Sequence, residues 1–518
     1  MTGSELVPFS RCGVWRSHRD FFLSEGIEAW NGRVPFYITS NPYLAHAYAT
    51  IILRFLEDLQ AGDPGEGPVY VLELGAGTGA FSYQVIRCLM ELTESCPMLA
   101  ADLCYVMSDI SERNVAFWQS HPMFAPFLQQ GVLDFALFDI ESSSRLELKV
   151  SERVVERTPE SPSAGPLIVI ANYVFDAVPP DFFRVADGRL VEVLVPDSLA
   201  LPPNDSANES LEIARIEGSR ESEVEGLRYE PEPVDRVLRE QAAAGIDGGF
   251  LFPSIALQCL ARLQQTVSPE ILLLVADKGT LNPAATPEPS RLTLGLHGGS
   301  ASTLLDFQAL ERFARGQGGD AYACKTEGIV TGIYSLEVPF VELPETRLAI
   351  AQFLGAFNPG HIYDVVRYCR ETRPAARLET LVAVLELTLW DPVVFDQFFD
   401  VLLASLPYAS SYGLEKLTEN LHRVVDNFFY LPSASDTFQQ VGVLLQEMRR
   451  HADALQAHKA SLSWYGESAR TFYNMGLCCH ALQRQQEAVG WFQEALRLRP
   501  DFIEVRGWIA QIEHDLEL

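Results

Sequence analysis

At 518 residues the chain is long enough for roughly two to four domains, each with its own core. Hydrophobic residues make up 47% and charged residues 21%, the balance of a globular protein rather than a disordered one. A formal charge of −30 excludes nonspecific nucleic-acid binding and adsorption to an anionic membrane, both of which need a basic face, and it suits a basic protein or peptide partner.

The nine cysteines, among them Cys12, Cys88, Cys96 and the adjacent Cys478 and Cys479, form no CxxC pair and no His-rich ligand spacing. Free thiols in a reducing compartment and no metal site are expected. Residues 1–18 lack an apolar signal core, and Glu5, Asp20 and Glu25 are wrong for a transit peptide. No apolar run approaches the ~20 residues of a membrane span, so the expectation is a cytoplasmic protein.

Residues 1–33 read as an irregular or weakly helical lead-in, the first part of an N-terminal segment 1–60. Asn41-Pro42 is a helix start, an N-cap with proline at the first helical position. Leu44, Tyr48, Ile51, Ile52 and Phe55 then form one apolar stripe of a helix over about 42–59. The Pro/Gly cluster at 63–68 stops it. A short apolar run, 69–72, leads into Glu73-Leu74-Gly75-Ala76-Gly77-Thr78-Gly79, and residues 81–92 read as a helix. Strand, glycine turn and helix form a nucleotide cradle, because glycines allow a tight turn and let a ligand lie against bare backbone.

Further apolar runs end at Asp109, at Asp139 and at Asn172, with helical segments such as 111–118 between them. Near-continuous apolar strands alternating with helices predict a parallel sheet covered on both faces. Residues 182–194, broken at Asp187-Gly188, predict a hairpin inserted after the fourth strand. The Glu/Ser/Pro-rich stretch 200–235 predicts an acidic surface excursion, partly disordered. The sheet resumes at 271–276, ending at Asp277-Lys278-Gly279, and two last strands fall within 321–337.

From about residue 342 onward the pattern is helical. Phe472, Met475, Gly476, Ala488, Phe492, Ala495 and Pro500 follow the spacing of a tetratricopeptide unit, and Phe438, Val441, Gly442 and Ala454 repeat it 34 residues earlier. The final segment, 502–516, would cap the array. Residues 341–432 show helical hairpins of suitable length and no readable repeat; 433–518 is the repeat region.

Gly75-x-Gly77-x-x-Ala80 also satisfies the dinucleotide fingerprint. The acid ending the second strand, Asp109, stands thirty residues beyond Gly79, whereas a dinucleotide site wants its acid about 20 residues on. A phosphate-binding P-loop is excluded, because no Gly-Lys-Ser/Thr follows the turn.

Glu73 and the three glycines, with Asp109 and Asp139 at the ends of the next two strands, resemble the class I S-adenosylmethionine-dependent methyltransferases, and the resemblance implies their Rossmann-like α/β fold over residues 61–340. It implies that Gly75, Ala76, Gly77 and Gly79 admit the cofactor, Glu73 orients its amino end, Asp109 accepts the ribose hydroxyls, and Asp139 with the Ile140 amide faces the adenine. The stretch Ala171-Asn172-Tyr173-Val174-Phe175-Asp176-Ala177-Val178-Pro179 is similar to the Ala-Asn-Glu-Phe-Phe-Asp-Ala-Leu-Pro of the MidA-like family, relatives of a mitochondrial methyltransferase that modifies an arginine. Asp277-Lys278-Gly279 stands where that family has Asp-Tyr-Gly, and His297-Gly298-Gly299 precedes Leu305-Asp306-Phe307.

The resemblance covers roughly residues 30–340 and implies protein arginine methylation, with Asn172, Tyr173 and Asp176 orienting the acceptor. The family's glutamate is Tyr173 here; its side chain offers a hydroxyl or a ring face for a cation. Asp176 reads equally as a cap after the fourth strand. Tyr37 and Asn41 are further candidates for closing over the cofactor, and His297 for an active-site loop. The expectation is an enzyme whose helical repeats hold a protein or peptide substrate, with a homodimer allowed; a small-molecule methyltransferase and an inactive cofactor-binding scaffold are the alternatives.

Overall fold

The structure is a computed structural model and describes residues 5–30, 40–61, 68–95, 103–158, 165–201, 210–245, 248–287, 292–326, 328–372, 377–432 and 434–517. Tyr37, the turn cluster at 63–67 and Cys96 lie outside the described residues. The chain divides into two compact units, residues 1–361 and 362–518.

The strands of the first unit, in chain order, are β1 (Val69–Glu73), β2 (Leu103–Asp109), β3 (Leu133–Leu137), β4 (Leu167–Asn172), β5 (Asp181–Ala186), β6 (Arg189–Pro196), β7 (Ser210–Glu212), β8 (Arg220–Glu223), β9 (Phe250–Phe252), β10 (Ile271–Thr280), β11 (Thr293–His297), β12 (Ser300–Ser302), β13 (Asp320–Thr326) and β14 (Ile329–Leu336). Its principal helices are α1 (Gly13–Glu25), α2 (Pro42–Ala61), α3 (Ala80–Ser95), α4 (Glu112–Ser120), α5 (Glu232–Ala243), α6 (Ser254–Thr266) and α7 (Phe307–Gly316).

The main sheet runs β13–β14–β10–β4–β1–β2–β3. The five strands from β10 to β3 pair in parallel, and β14 is antiparallel to both of its neighbours. All five residues of β1 are buried, as a central strand covered on both faces requires. On one face Leu72, Val169 and Leu273 pack with Leu260 of α6 and Leu310 of α7 in a single core. Parallel strands bring their carboxyl ends to one rim, so Glu73, Asp109 and Asn172 arrive there together.

A second sheet is built from the hairpin β5–β6, turned at Asp187 (φ 50°) and Gly188 (φ 74°). Phe250–Phe252 joins one side of it, and Leu6–Val7 pairs with Pro196 and Val195 on the other. Residues 202–209 of the acidic excursion lie outside the described residues, and the part from 210 to 235 is more ordered than its composition predicts. Arg220–Glu223 pairs with β6, where Glu221 and Glu223 meet Arg184 and Arg189, and Ser210–Glu212 pairs with β11. Arginines on the neighbouring strands offset the charge that favours disorder.

The lead-in is likewise a true helix, α1, held by residues far away in sequence. Ala301 N–H donates to His18 Nδ1 at 3.0 Å, and Arg16 pairs with Asp197 at 2.8 Å. Asn41 caps α2 through its side chain, with Leu44 N–H at 2.9 Å. The first unit also extends past the expected boundary at 340, because Asp58 of α2 accepts from the Glu345 and Thr346 amides and so ties Pro344–Ile350 to the helix.

The second unit is helical throughout its described residues. Its last five helices are α8 (Thr437–Glu447), α9 (His451–Tyr465), α10 (Ala469–Ala481), α11 (Gln485–Leu498) and α12 (Ile503–Glu517). A Cβ on Gly476 would stand 2.4 Å from the Phe492 ring, so only glycine lets α10 and α11 approach this closely. Gly442 faces His458 in the same way, which explains why the earlier repeat is hard to read: a histidine fills the place of Phe492.

Candidate functional site

The glycine turn is fixed from both sides. Leu74 N–H donates to Ile170 O and Ala76 N–H to Ser108 O, each at 2.9 Å, while the Trp118 indole holds Gly77 O at 3.0 Å. Gly75, Gly77 and Gly79 have φ of 61°, 55° and 81°, a region that side-chain-bearing residues enter only at a cost. Beside the turn opens a cavity of about 130 Å³ lined by Gly75, Asp109, Ile110, Asp139, Ile140 and Tyr173.

Asp109 is 8% exposed. It accepts from Ser111 N–H and from the Asn114 amide, each at 2.9 Å, and burial lifts it above the ordinary carboxylate range despite those donors. Asp139 is only partly buried. Burial pushes it up, but Arg19 at 2.8 and 3.2 Å, the Glu141 amide and Ser142 outweigh that and leave it below its usual value. Among the described residues the Ile140 amide donates to no protein acceptor. Glu73 lies behind the cavity. Its carboxyl accepts from Tyr105 at 2.8 Å and from the Ser82 hydroxyl, and burial pushes it up to about 7.

The fourth strand ends in a strained step. Tyr173 has φ 55°, held by its N–H on Ala276 O at 2.9 Å. Asn172 accepts from the Tyr48 hydroxyl at 3.0 Å. Asp176, 2% exposed, lies beneath this rim against Asp277, whose Oδ2 accepts the amides of Val174, Phe175 and Asp176 at 2.8–3.2 Å. Asp176 Oδ2 and Asp277 Oδ1 find no other donor. Burial pushes both carboxyls up, and the neighbouring Asp176 pushes Asp277 further. His297 sits on β11 at a tight hairpin through Gly298 and Gly299 rather than on an open loop.

Five participants escaped the sequence reading. Trp15, His18, Arg19 and Phe22 of α1 line the same cavity, as does Asn114. No local motif marks them; the only signal is that Trp15, His18 and Phe22 share one stripe of α1. Among the described residues Asn114 Oδ1 and Trp15 Nε1 are buried without a hydrogen-bond partner, an expensive condition in a finished protein.

Residues 49–253 match the family described as "Putative S-adenosyl-L-methionine-dependent methyltransferase", and residues 434–501 match a tetratricopeptide repeat family. Residues 49–253 therefore resemble a methyltransferase domain of that description, and the tetratricopeptide match lies outside them. S-adenosylmethionine is accordingly its cofactor, and its repeats are of a kind that mediates protein contacts. Among solved structures, an uncharacterized ACR protein from Burkholderia thailandensis is 18% identical over 61% of this chain and 72% of its own, with a TM-score of 0.34. MamA is 15% identical over 33% of this chain and 84% of its own, with a TM-score of 0.21. No curated protein matches the chain.

The residues present suit the methyltransferase cofactor. The glycine turn leaves a cradle that side chains would fill: a Cβ on Gly75 would stand 2.9 Å from Val174, and one on Gly79 2.9 Å from Met107. Asp109 presents a carboxylate at the cavity, and among the described residues the Ile140 amide there has no protein acceptor.

Proposed function

We propose that this methyltransferase acts on a protein or peptide acceptor delivered by its helical repeats. The observation that carries the reading is the convergence of Gly75, Asp109, Asp139–Ile140 and Tyr173 around one cavity at the carboxyl rim of the sheet. The sheet order, with β14 antiparallel inside an otherwise parallel row, supports the Rossmann-like class I fold.

When bound, S-adenosylmethionine supplies a methyl group on a sulfonium. In this reading Gly75, Ala76, Gly77 and Gly79 give it backbone contact, Asp109 accepts its ribose hydroxyls, and the Ile140 amide meets the adenine. Glu73 steadies the turn from behind. Asn172 and Tyr173 set the acceptor in line with the methyl, and the catalytic effect is mainly positioning. A protein acceptor is favoured by the repeats at 434–501 and by the charge of −30.

Arginine is the acceptor that the MidA-like resemblance implies. A guanidinium stays protonated at neutral pH and needs ionised carboxylates to hold it, and against it stands the burial of the Asp176–Asp277 pair, which pushes both carboxyls up toward their neutral form.

Calorimetry with S-adenosylmethionine and S-adenosylhomocysteine on the wild type, Asp109→Asn and Asp109→Ala tests the cofactor site. Binding by the wild type that weakens at least ~10-fold in both variants is expected, from the ~1.5–3 kcal/mol of hydrogen bonds to a charged group. No binding by the wild type, or unchanged binding in both variants, would sink the assignment.

A further inference from the structure

The wall beyond Tyr173 is made of hydrogen-bond donors. Lys278, half-buried at the rim, places its ammonium 5.8 Å from the centroid of the Tyr173 ring and 3.4 Å from His297 Nε2. Among the described residues no carboxylate pairs with it, in a chain where 69 acids face 39 lysines and arginines. The nearest acids are Asp176 and Asp277. Their remaining negative charge is buried and offers Lys278 long-range balance without a hydrogen bond.

Among the described residues no unengaged imidazole stands at this wall. His297 Nε2 is engaged by Lys278 and by Ser302 at 3.0 Å, and burial with the neighbouring ammonium pulls its pKa to about 4. His18 lines the cavity beside Tyr173, and its Nδ1 accepts the Ala301 amide. In the neutral ring that leaves Nε2 as a donor. Asp176 and Asp277 are out of reach beneath the rim. Lys278 and His18 therefore present donors beside Tyr173, and among the described residues the carboxylates of the cavity are already engaged, Asp109 by Ser111 and Asn114, and Asp139 and Glu141 by Arg19.

We propose that the acceptor group is an oxyanion, a carboxylate on the protein or peptide substrate, held by Lys278 beside Tyr173. This rests on the methyltransferase reading and names its substrate class. An oxygen lone pair of the carboxylate forms the new bond to the methyl carbon. The carbon–sulfur bond breaks and its electron pair stays on sulfur. The products are a methyl ester and S-adenosylhomocysteine, and no proton moves. Lys278 also repels a cationic acceptor, so a guanidinium is disfavoured twice.

Protein saturated with S-adenosylhomocysteine is titrated with propionate and, separately, with methylguanidinium. Propionate is expected to bind, to weaken about 10-fold in Lys278→Met and to recover within about threefold in Lys278→Arg, the scale of one hydrogen bond to a charged group; methylguanidinium is expected to give no heat. Unchanged S-adenosylhomocysteine affinity in Lys278→Met shows that the variant is intact. A preference for methylguanidinium, or propionate binding indifferent to Lys278→Met, would overturn the proposal. The tritiated methyl group transferred to extract proteins should be released as methanol at alkaline pH, as an ester is, and alkali-stable label would overturn it too. Failure of the wild type to bind S-adenosylhomocysteine falls instead on the methyltransferase reading itself.

Discussion

Glu73 →Gln is the substitution from which the physics of the site can be read most directly. The Glu73 side chain is 4% exposed, its hydrogen bonds come from Tyr105 and Ser82, and burial lifts its pKa from 4.5 to about 7. A carboxyl whose folded value is raised is bound to its proton more tightly in the native state. Its contribution is therefore fully present below about pH 4.5 and is lost as pH rises through 7. Two and a half pH units correspond to about 3 kcal/mol, an order-of-magnitude figure. Glutamine keeps an acceptor for both hydroxyls and cannot ionise. The variant should match the wild type at pH 5 and exceed it by up to ~3 kcal/mol at pH 8.5. Chemical denaturation at the two pH values, followed in the first unit by tryptophan fluorescence, reads the difference. Parallel stability–pH curves for wild type and variant would show that Glu73 is ionised in the native state and that the reasoning is wrong.

Three other outcomes are expected. Gly79→Ala forces a Cβ to 2.9 Å from Met107 and 3.0 Å from Phe124 at φ 81°, so it should destabilise by ~1–3 kcal/mol and abolish cofactor binding in calorimetry. Arg19→Met removes both contacts to Asp139, a partly exposed pair worth at most ~1 kcal/mol, and tryptic cleavage after Arg16 should quicken several-fold; an unchanged rate would mean that packing alone holds α1. In the second unit His458 is buried, both ring nitrogens lack partners, and burial lowers its pKa from 6.5 to about 4. The stability it permits is present above 6.5 and is lost as pH falls toward 4, by about 3 kcal/mol; His458→Phe, which repeats Phe492, should remove that loss in melts at pH 7.5 and 4.5.

What the sequence shows well is whatever is local. The glycine turn, the Asn41 cap, the hairpin at Asp187-Gly188 and the packing of Gly476 on a facing helix are each set by residues within one or two elements. Asp109 is visible because it ends a strand. Its holder Asn114 is not, since an asparagine one turn into a helix has no signature of its own. The Asp176–Asp277 pair joins two segments a hundred residues apart, and the upward shift of both carboxyls depends on a burial that no motif announces. The wall formed by α1 was hidden for the same reason. Its partners are Asp139, Asp197 and Ala301, and its polar residues resemble those of an ordinary surface helix until those partners are in place.

The dependence of α1 on Asp197 and Ala301 has a consequence for how the protein is made. During synthesis Phe9, Trp15 and Phe21 emerge first, yet the residue that engages His18 follows 283 positions later. At ~5–20 residues per second, that is on the order of fifteen seconds to a minute. Over this interval the aromatic face of α1 is covered only in part, by Phe182, Val193, Val195 and Leu251 as each is made, while Leu292, Leu294, Leu296 and Ala301 are still missing. A nascent chain halted before Ala301 should therefore expose an aromatic helix, a natural handle for a chaperone, and the enzyme should acquire its cofactor only after most of the first unit has left the ribosome.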